Sequence, residues 1–199
     1  SDKCYENNDL LTSFSEKFPM GGTDPYSSSK GCSELITSSY MKSFFSKNVK
    51  NYANIKIASA RAGNVIGGGD WSEDRLIPDI INDFLKEKKP IIRSPKATRP
   101  WQHVLDPLNG YLILAEELYN SKNESLCGGW NFGTNLKESK DVEWIADYLK
   151  LIWPKKVNWV IDHKSNPYEA KYLSLDCSKS KKFLGWEPNY ELKECLKGI

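Results

Sequence analysis

Two groups of residues in this chain have the types and spacing to move protons. Tyr26 and Lys30 form a Tyr-x-x-x-Lys pair, and Ser1-Asp2-Lys3 sets a hydroxyl, a carboxylate and an amine in a row. If the run from Ser27 to Lys47 is helical, Tyr26 sits at its first turn and Lys30 lies on the same face one turn further on. An ammonium near a phenol favours the phenolate, which lets a tyrosine act as a base closer to neutral pH. A Tyr-x-x-x-Lys pair arises by chance in many helices, so its weight comes from its company.

The surrounding pattern is one of alternating elements. Residues 5–25 are polar and turn-rich and read as a surface loop leading into the helix, whose Leu35, Ile36, Tyr40 and Phe44 recur at helical spacing. Gly31 and several serines on another face of that helix would let a second element approach closely. Ile55 to Arg61 reads as a strand, and Gly63 to Asp70 as a glycine-rich loop at its carboxyl end, where open α/β folds place ligands. Leu76 to Lys88 has a helical apolar pattern, Pro90 to Arg93 reads as a short strand, and Ser94 to Trp101 as a rigid basic loop. Asp106-Pro107 has the form of an N-cap and first helical residue. Trp130 to Gly133 and Val157 to Ile161 look strand-like, Lys140 to Ile152 is amphipathic, Tyr172 to Leu175 is extended, and Gly185 stops a last helix. Strands alternating with helices imply a parallel sheet.

Composition narrows the function classes. The 28 Lys+Arg and 26 Asp+Glu leave a charge of +2, too balanced for a nucleic-acid or membrane binder. Five scattered cysteines without Cys-x-x-Cys spacing read as reduced thiols in a cytoplasmic protein. No group of His, Cys or Asp has metal-ligand spacing, so no metal is expected. A dinucleotide in such a fold is held on a Gly-x-Gly-x-x-Gly turn, and the 199 residues contain none. The glycines at 67–69 lack that spacing. The expectation is a fragment, or an unusual product, of a longer protein. On its own it should neither bind NAD nor turn over.

Ser-Asp-Lys at 1–3, Tyr-x-x-x-Lys at 26–30, Arg-Ala-Gly-Asn-Val-Ile-Gly-Gly-Gly-Asp-Trp at 61–71, Arg-Leu-Ile-Pro-Asp at 75–79 and Arg-Pro-Trp-Gln-His-Val at 99–104 occur in fixed order. Together they resemble the extended short-chain dehydrogenase/reductase superfamily and, within it, the CDP-glucose 4,6-dehydratases. The resemblance implies an α/β chain, the C-terminal part of a Rossmann-type doubly wound parallel sheet plus a smaller α/β nucleotide-sugar-binding domain. Residues 1–66, with about 103–133 returning to them, would form the remaining part of the NAD domain. Residues 67–102 and 134–199 would hold the nucleotide-sugar.

The resemblance also implies a chemistry. In this family bound NAD oxidises the sugar at C4, water is eliminated across C5 and C6, and the hydride returns to C6. Tyr26 would take the 4-hydroxyl proton, Lys30 would lower the tyrosine pKa and bond the nicotinamide ribose, and Ser1 would donate or relay a hydrogen bond to O4. By the same match Asp2 would protonate the departing hydroxyl and Lys3 would take the C5 proton. Lys3 would therefore need a neutral amine, its pKa lowered by desolvation or a nearby cation. Asn64, Arg75, Asn131, Glu169 and Tyr172 align with substrate-contacting positions. Arg99, with Arg93 second, suits the diphosphate, since guanidinium matches phosphate oxygens bidentately. His103 reads as structural. The partner implied is CDP-glucose, in a homodimer or higher homo-oligomer. An NAD-dependent epimerase or reductase, or an inactive sugar-nucleotide-binding fragment, are the alternatives. Asp2-Lys3 argues against the epimerase, which needs no pair to eliminate water.

Overall fold

The computed structural model describes residues 1–9, 11–45, 55–121, 123–135, 138–164 and 169–199. Helix α1 spans Pro25–Phe44 and begins where the sequence supplies both signals for it. Pro25 occupies the first turn, and the Asp24 carboxylate accepts from the backbone N–H groups of Tyr26 (2.9 Å) and Ser27 (3.0 Å), satisfying donors that a helix start leaves unpaired. The expected helical positions Ser46 and Lys47 lie outside the described residues. Gly31 faces the rest of the molecule, and a Cβ there would stand 3.0 Å from Gly21 N and 3.4 Å from Cys4 O. The small residue thus lets α1 settle onto the Ser1–Tyr5 segment. The apolar face of α1 points the other way, with Leu35, Ile36, Tyr40 and Phe44 all exposed.

Strand β1 (Ala58–Ala62) pairs in parallel with β6 (Gly128–Phe132), Ala58 opposite Gly128 and Ala62 opposite Phe132. Two more parallel pairs are short: β2 (Val65–Ile66) with β5 (Gln102–His103), and β3 (Ile91–Ile92) with β8 (Val160–Ile161). β4 (Thr98–Arg99) pairs antiparallel with β7 (Lys140–Asp141). The helices between them are α2 (Leu76–Leu85), α3 (Leu105–Asn120) and α4 (Val142–Ile152), followed by α5 (Ser178–Leu184) and α6 (Leu192–Lys197). Parallel strands joined through helices match the alternation in the sequence.

Three apolar clusters hold these elements. One joins α2, α4 and α6 through Ile80, Phe84, Ile145, Leu149, Leu192 and Leu196. A second packs Leu114, Trp130 and Phe132 against Trp186. The third gathers Cys4, Tyr5, Phe14, Leu173 and Leu175 beneath the N-terminal turn. Each fully buried Leu, Ile or Phe stabilises the fold by about 1.5–3 kcal/mol.

Several elements differ from the sequence expectations, each for a local reason. The 5–25 segment is not a mere surface loop. Phe14 is completely buried, stacked on Tyr5 at 5.4 Å, and its N–H and C=O bond Ser174 O and Asp176 N. Asp106 does not cap α3, which starts a residue earlier at Leu105. Its buried carboxylate accepts instead from the N–H groups of Asn189 (2.9 Å) and Tyr190 (3.4 Å). Lys140–Asp141 is strand rather than helix, and Asp141 caps α4 by accepting from Trp144 N. The run at 157–161 is strand only at Val160–Ile161.

Candidate active site

The first five residues form a short 3-10 turn (Asp2–Cys4) running into an extended Tyr5. Ser1 Oγ accepts from Lys3 N at 3.2 Å, closing the turn. Gly21 N bonds Cys4 O (2.9 Å) and Glu6 N bonds Pro19 O (3.0 Å), so the turn is tied to the loop that feeds α1. Asp2 is 4% exposed, and its Oδ2 has no hydrogen-bond partner among the described residues. Burial pushes its carboxyl above the usual carboxylate range, outweighing the opposing field of Lys3. Lys3 moves the other way. Desolvation lowers its pKa and the Arg99 guanidinium adds to that, against the pull of Asp2. A carboxyl biased toward its protonated form thus adjoins an amine biased toward its neutral form, which suits an acid and a base.

Tyr26 stands across from this turn. A cavity of about 230 Å³ is lined by Asp2, Lys3, Thr23, Tyr26 and Glu169, among others. The Tyr26 side chain is half exposed, and Lys30 Nζ lies 5.2 Å from its ring centroid, one helical turn on. The ammonium therefore sits over the ring in a cation–π contact. Lys3 and Glu169 also line a larger cavity of about 650 Å³, shared with Asn64, Arg75, Arg93 and Arg99. The two cavities meet at Lys3 and Glu169.

Arg99 is the buried cation of the larger cavity. Its Nη1 donates to Thr98 O (2.8 Å) and its Nη2 to Glu169 Oε1 (2.6 Å). A charge so far from water requires a partner, and Glu169, half exposed, supplies it. Arg93 and Arg75 line the same space from exposed positions, Arg75 directly before α2.

Two expected substrate residues are not brought to these cavities. Asn131 is fully buried, and its amide is already used. Oδ1 accepts from Tyr5 Oη (2.6 Å), and Nδ2 donates to Phe14 O (2.8 Å) and Asp176 O (3.1 Å). It pins three segments together. Tyr172 meets its neighbours through the backbone, its C=O accepting from Asn7 Nδ2 (2.8 Å) beside a bridge to Thr98. Asn166 to Tyr168 of the same motif lie outside the described residues. His103 is structural, its Nδ1 accepting from Leu105 N and its ring packed 4.4 Å from Tyr190. The residues that went unnoticed in the sequence are Trp71, Asp79 and Asp83, which line the larger cavity, and Arg61. Arg61 opens the Arg61-x-x-Asn64 motif, in which only the asparagine drew attention.

Parallel strands joined through helices, with a Tyr/Lys helix and an acid–base turn sharing one cavity, define a Rossmann-like α/β protein. The solved structures agree. UDP-glucuronic acid 4-epimerase from Bacillus cereus, in complex with UDP-glucuronic acid and NAD, superposes with a TM-score of 0.82 over 98% of this chain and 57% of its own, at 22% identity. A dTDP-glucose 4,6-dehydratase from Bacillus anthracis in complex with NAD gives 0.75 over 100% and 57%, also at 22% identity. The model of the GDP-mannose 4,6 dehydratase family matches residues 1–199, and the chain belongs to that family. Among curated relatives, CDP-glucose 4,6-dehydratase from Salmonella typhimurium is 49% identical over 98% of the chain and 54% of the relative. The dTDP-glucose 4,6-dehydratase of Haemophilus influenzae is 26% identical over 99% of the chain and 57% of its own length. The chain thus spans about half the length of these relatives.

Proposed function

We propose that the protein carrying this chain converts CDP-glucose to CDP-4-keto-6-deoxyglucose and water. The observation that carries the reading is the Asp2-Lys3 turn, with its oppositely shifted proton affinities, facing the same cavity as Tyr26. The 49% identity to a CDP-glucose 4,6-dehydratase supports the choice of sugar-nucleotide. NAD is the cofactor that the reaction requires. The residues present fit its nicotinamide end, since Tyr26 is half exposed with Lys30 beside it. The pyrophosphate turn is not among the 199 residues. When bound beside Tyr26 and Lys30, NAD would supply a hydride acceptor for C4 and, once reduced, a hydride donor for C6.

The chain's own residues then have distinct duties. Tyr26 takes the proton of the 4-hydroxyl, and Ser1, exposed at the start of the turn and outside the lining of both cavities, would donate or relay a hydrogen bond to O4. The resulting ketone acidifies the C5 proton, which passes to Lys3. As the C5–H electron pair forms the C5–C6 double bond, the C6 hydroxyl leaves with a proton from Asp2, and one water is released. Reduction at C6 then draws a proton onto C5, which yields the 4-keto-6-deoxy sugar with no net use of cofactor. Arg99, with Arg93, takes the diphosphate. Asn64, Arg75 and Glu169 line the space beside it. Asn131 and Tyr172 line neither cavity: Asn131 holds Tyr5, Phe14 and Asp176 together, and Tyr172 bridges to Thr98 beside Arg99.

The α2, α4 and α6 cluster, drawn from residues 66–101 and 142–196, supports a nucleotide-sugar-binding region, while Trp186 in the Trp130 cluster and Leu173 and Leu175 beside Tyr5 tie the C-terminal segment to the NAD-binding part as well. The exposed apolar face of α1 supports a homo-oligomer, to be measured by light scattering. Five free cysteines support a reducing, cytoplasmic setting. No helix among the described residues is long and apolar enough to cross a membrane.

Turnover of CDP-glucose in deuterated water tests the reading. Deuterium is expected at C5 of the product. A product with C5 still protiated would refute the elimination route, and preference for dTDP-, UDP- or GDP-linked sugar would refute the nucleotide assignment.

A further inference from the structure

Arg61, on β1, is 5% exposed and grips two segments at once. Its Nη1 donates to Tyr5 Oη at 2.8 Å, and its Nη2 pairs with Glu34 Oε2 at 2.8 Å. The guanidinium carbon also lies 5.2 Å from the Tyr5 ring centroid. Tyr5 comes two residues after Lys3, on the extended segment that leaves the acid–base turn. Glu34 comes one helical turn after Lys30, on the face of α1 that carries Tyr26. One side chain therefore joins the element that bears Tyr26 and Lys30 to the element that bears Asp2 and Lys3.

The surroundings are shaped for that side chain. A Cβ at Gly129 of β6, two residues before Asn131, the register partner of Arg61, would stand 2.4 Å from Arg61 Nη2, so a glycine at that place is what admits the guanidinium. Tyr5 donates its own proton to Asn131 Oδ1, which leaves its oxygen to accept from Arg61. Burial raises the Tyr5 pKa and keeps the phenol protonated for this purpose. A buried ion pair is a poor device for stability alone, because well-packed apolar residues replace such pairs at little or no cost. Arg61 Nε, moreover, is buried without a partner among the described residues. What the arrangement provides that an apolar cluster does not is fixed direction and distance between two segments.

We propose that Arg61 is a positioning residue that holds the Tyr26/Lys30 pair in register with the Asp2/Lys3 pair, so that oxidation at C4 leads on to elimination at C5–C6. The proposal rests on the dehydratase reading. Arg61 touches neither substrate nor cofactor, and acts through Tyr5 and Glu34.

The test uses the full-length protein with Arg61→Met, Glu34→Leu and Tyr5→Phe. Arg61→Met removes both arms of the clamp, Glu34→Leu the α1 arm, and Tyr5→Phe the turn arm. Cofactor reduction in a single turnover should stay within a few-fold of wild type, since Tyr26 and Lys30 remain on one helix. Product formation should fall by up to about 100-fold, the cost of displacing reacting groups by about an ångström, so reduced nicotinamide accumulates. The Arg61→Met/Glu34→Leu double variant should be no worse than Arg61→Met alone, because both act through one clamp. Arg61→Lys should not rescue, because a single ammonium does not present the fork that spans both partners. In protein without substrate, amide hydrogen exchange should quicken at residues 1–5 in each single variant. An equal fall of reduction and product formation would overturn the proposal, as would unchanged exchange at residues 1–5. The exchange measurement needs no turnover, so it is separable from failure of the substrate reading, which the wild-type deuterium experiment reports.

Discussion

Tyr26→Phe in the full-length protein should lower turnover of CDP-glucose by roughly 100- to 10,000-fold, the range for losing a positioned acid–base group. Binding of the sugar-nucleotide should stay within a few-fold. The phenol oxygen is required only when the 4-hydroxyl gives up its proton, so its loss falls on kcat rather than on binding. The fold should tolerate the change. Tyr26 is half exposed, and its place at the helix start is set by its backbone N–H bond to Asp24, which phenylalanine keeps. Lys30 would keep an aromatic ring beneath its ammonium. The measurement is steady-state kinetics alongside calorimetric titration of CDP-glucose with NAD bound. Turnover within a few-fold of wild type would remove Tyr26 from the mechanism.

That such a prediction can be made from residue types at all reflects what local sequence encodes. Asp24-Pro25 carries a local helix-start signal that the structure uses, two residues ahead of the expected start at Ser27, and Tyr26 and Lys30 then share a face by helical geometry alone. The α2 and α4 stripes and the Gly185 stop, with its φ of 62°, are equally local. The parallel direction of β1 and β6 also follows, since strands alternating with helices run parallel, but the choice of β6 as the partner of β1 does not. What local sequence does not encode is which distant groups a polar side chain meets. Asn131 looked like a ligand contact, yet its amide is consumed by Tyr5, Phe14 and Asp176, which its own neighbourhood does not reveal. Arg61 escaped for the same reason, its partners lying 56 and 27 residues away. Phe14 lay in a stretch of loop composition and became core because the chain returns at Ser174 to pair with it. In Asp106 a capping signal was overruled, the carboxylate serving two N–H groups from the far end of the chain.

Lys3→Ala should separate the two halves of the reaction. Tyr26 and Lys30 are untouched, so the proton of the 4-hydroxyl can still be taken and reduced nicotinamide should form on the protein at close to the wild-type rate. On the proposed assignment the variant lacks the positioned C5 base, and product formation should fall by roughly 100- to 10,000-fold. The signature is near-ultraviolet absorbance of reduced cofactor that persists while product is absent, together with loss of deuterium incorporation at C5. The pH dependence carries the sign of the same assignment. Burial and the Arg99 charge lower the Lys3 pKa, so the wild-type rate should climb with pH as Lys3 loses its proton, below the ordinary lysine range. That limb should be missing from the residual elimination by Lys3→Ala, which has no amine to titrate there. The neutral Asp2 carboxyl beside it is favoured by its own burial, so it remains able to donate to the leaving hydroxyl in the variant. If reduced nicotinamide never accumulates and oxidation itself fails, Lys3 serves the first step, and the C5 base is a different group.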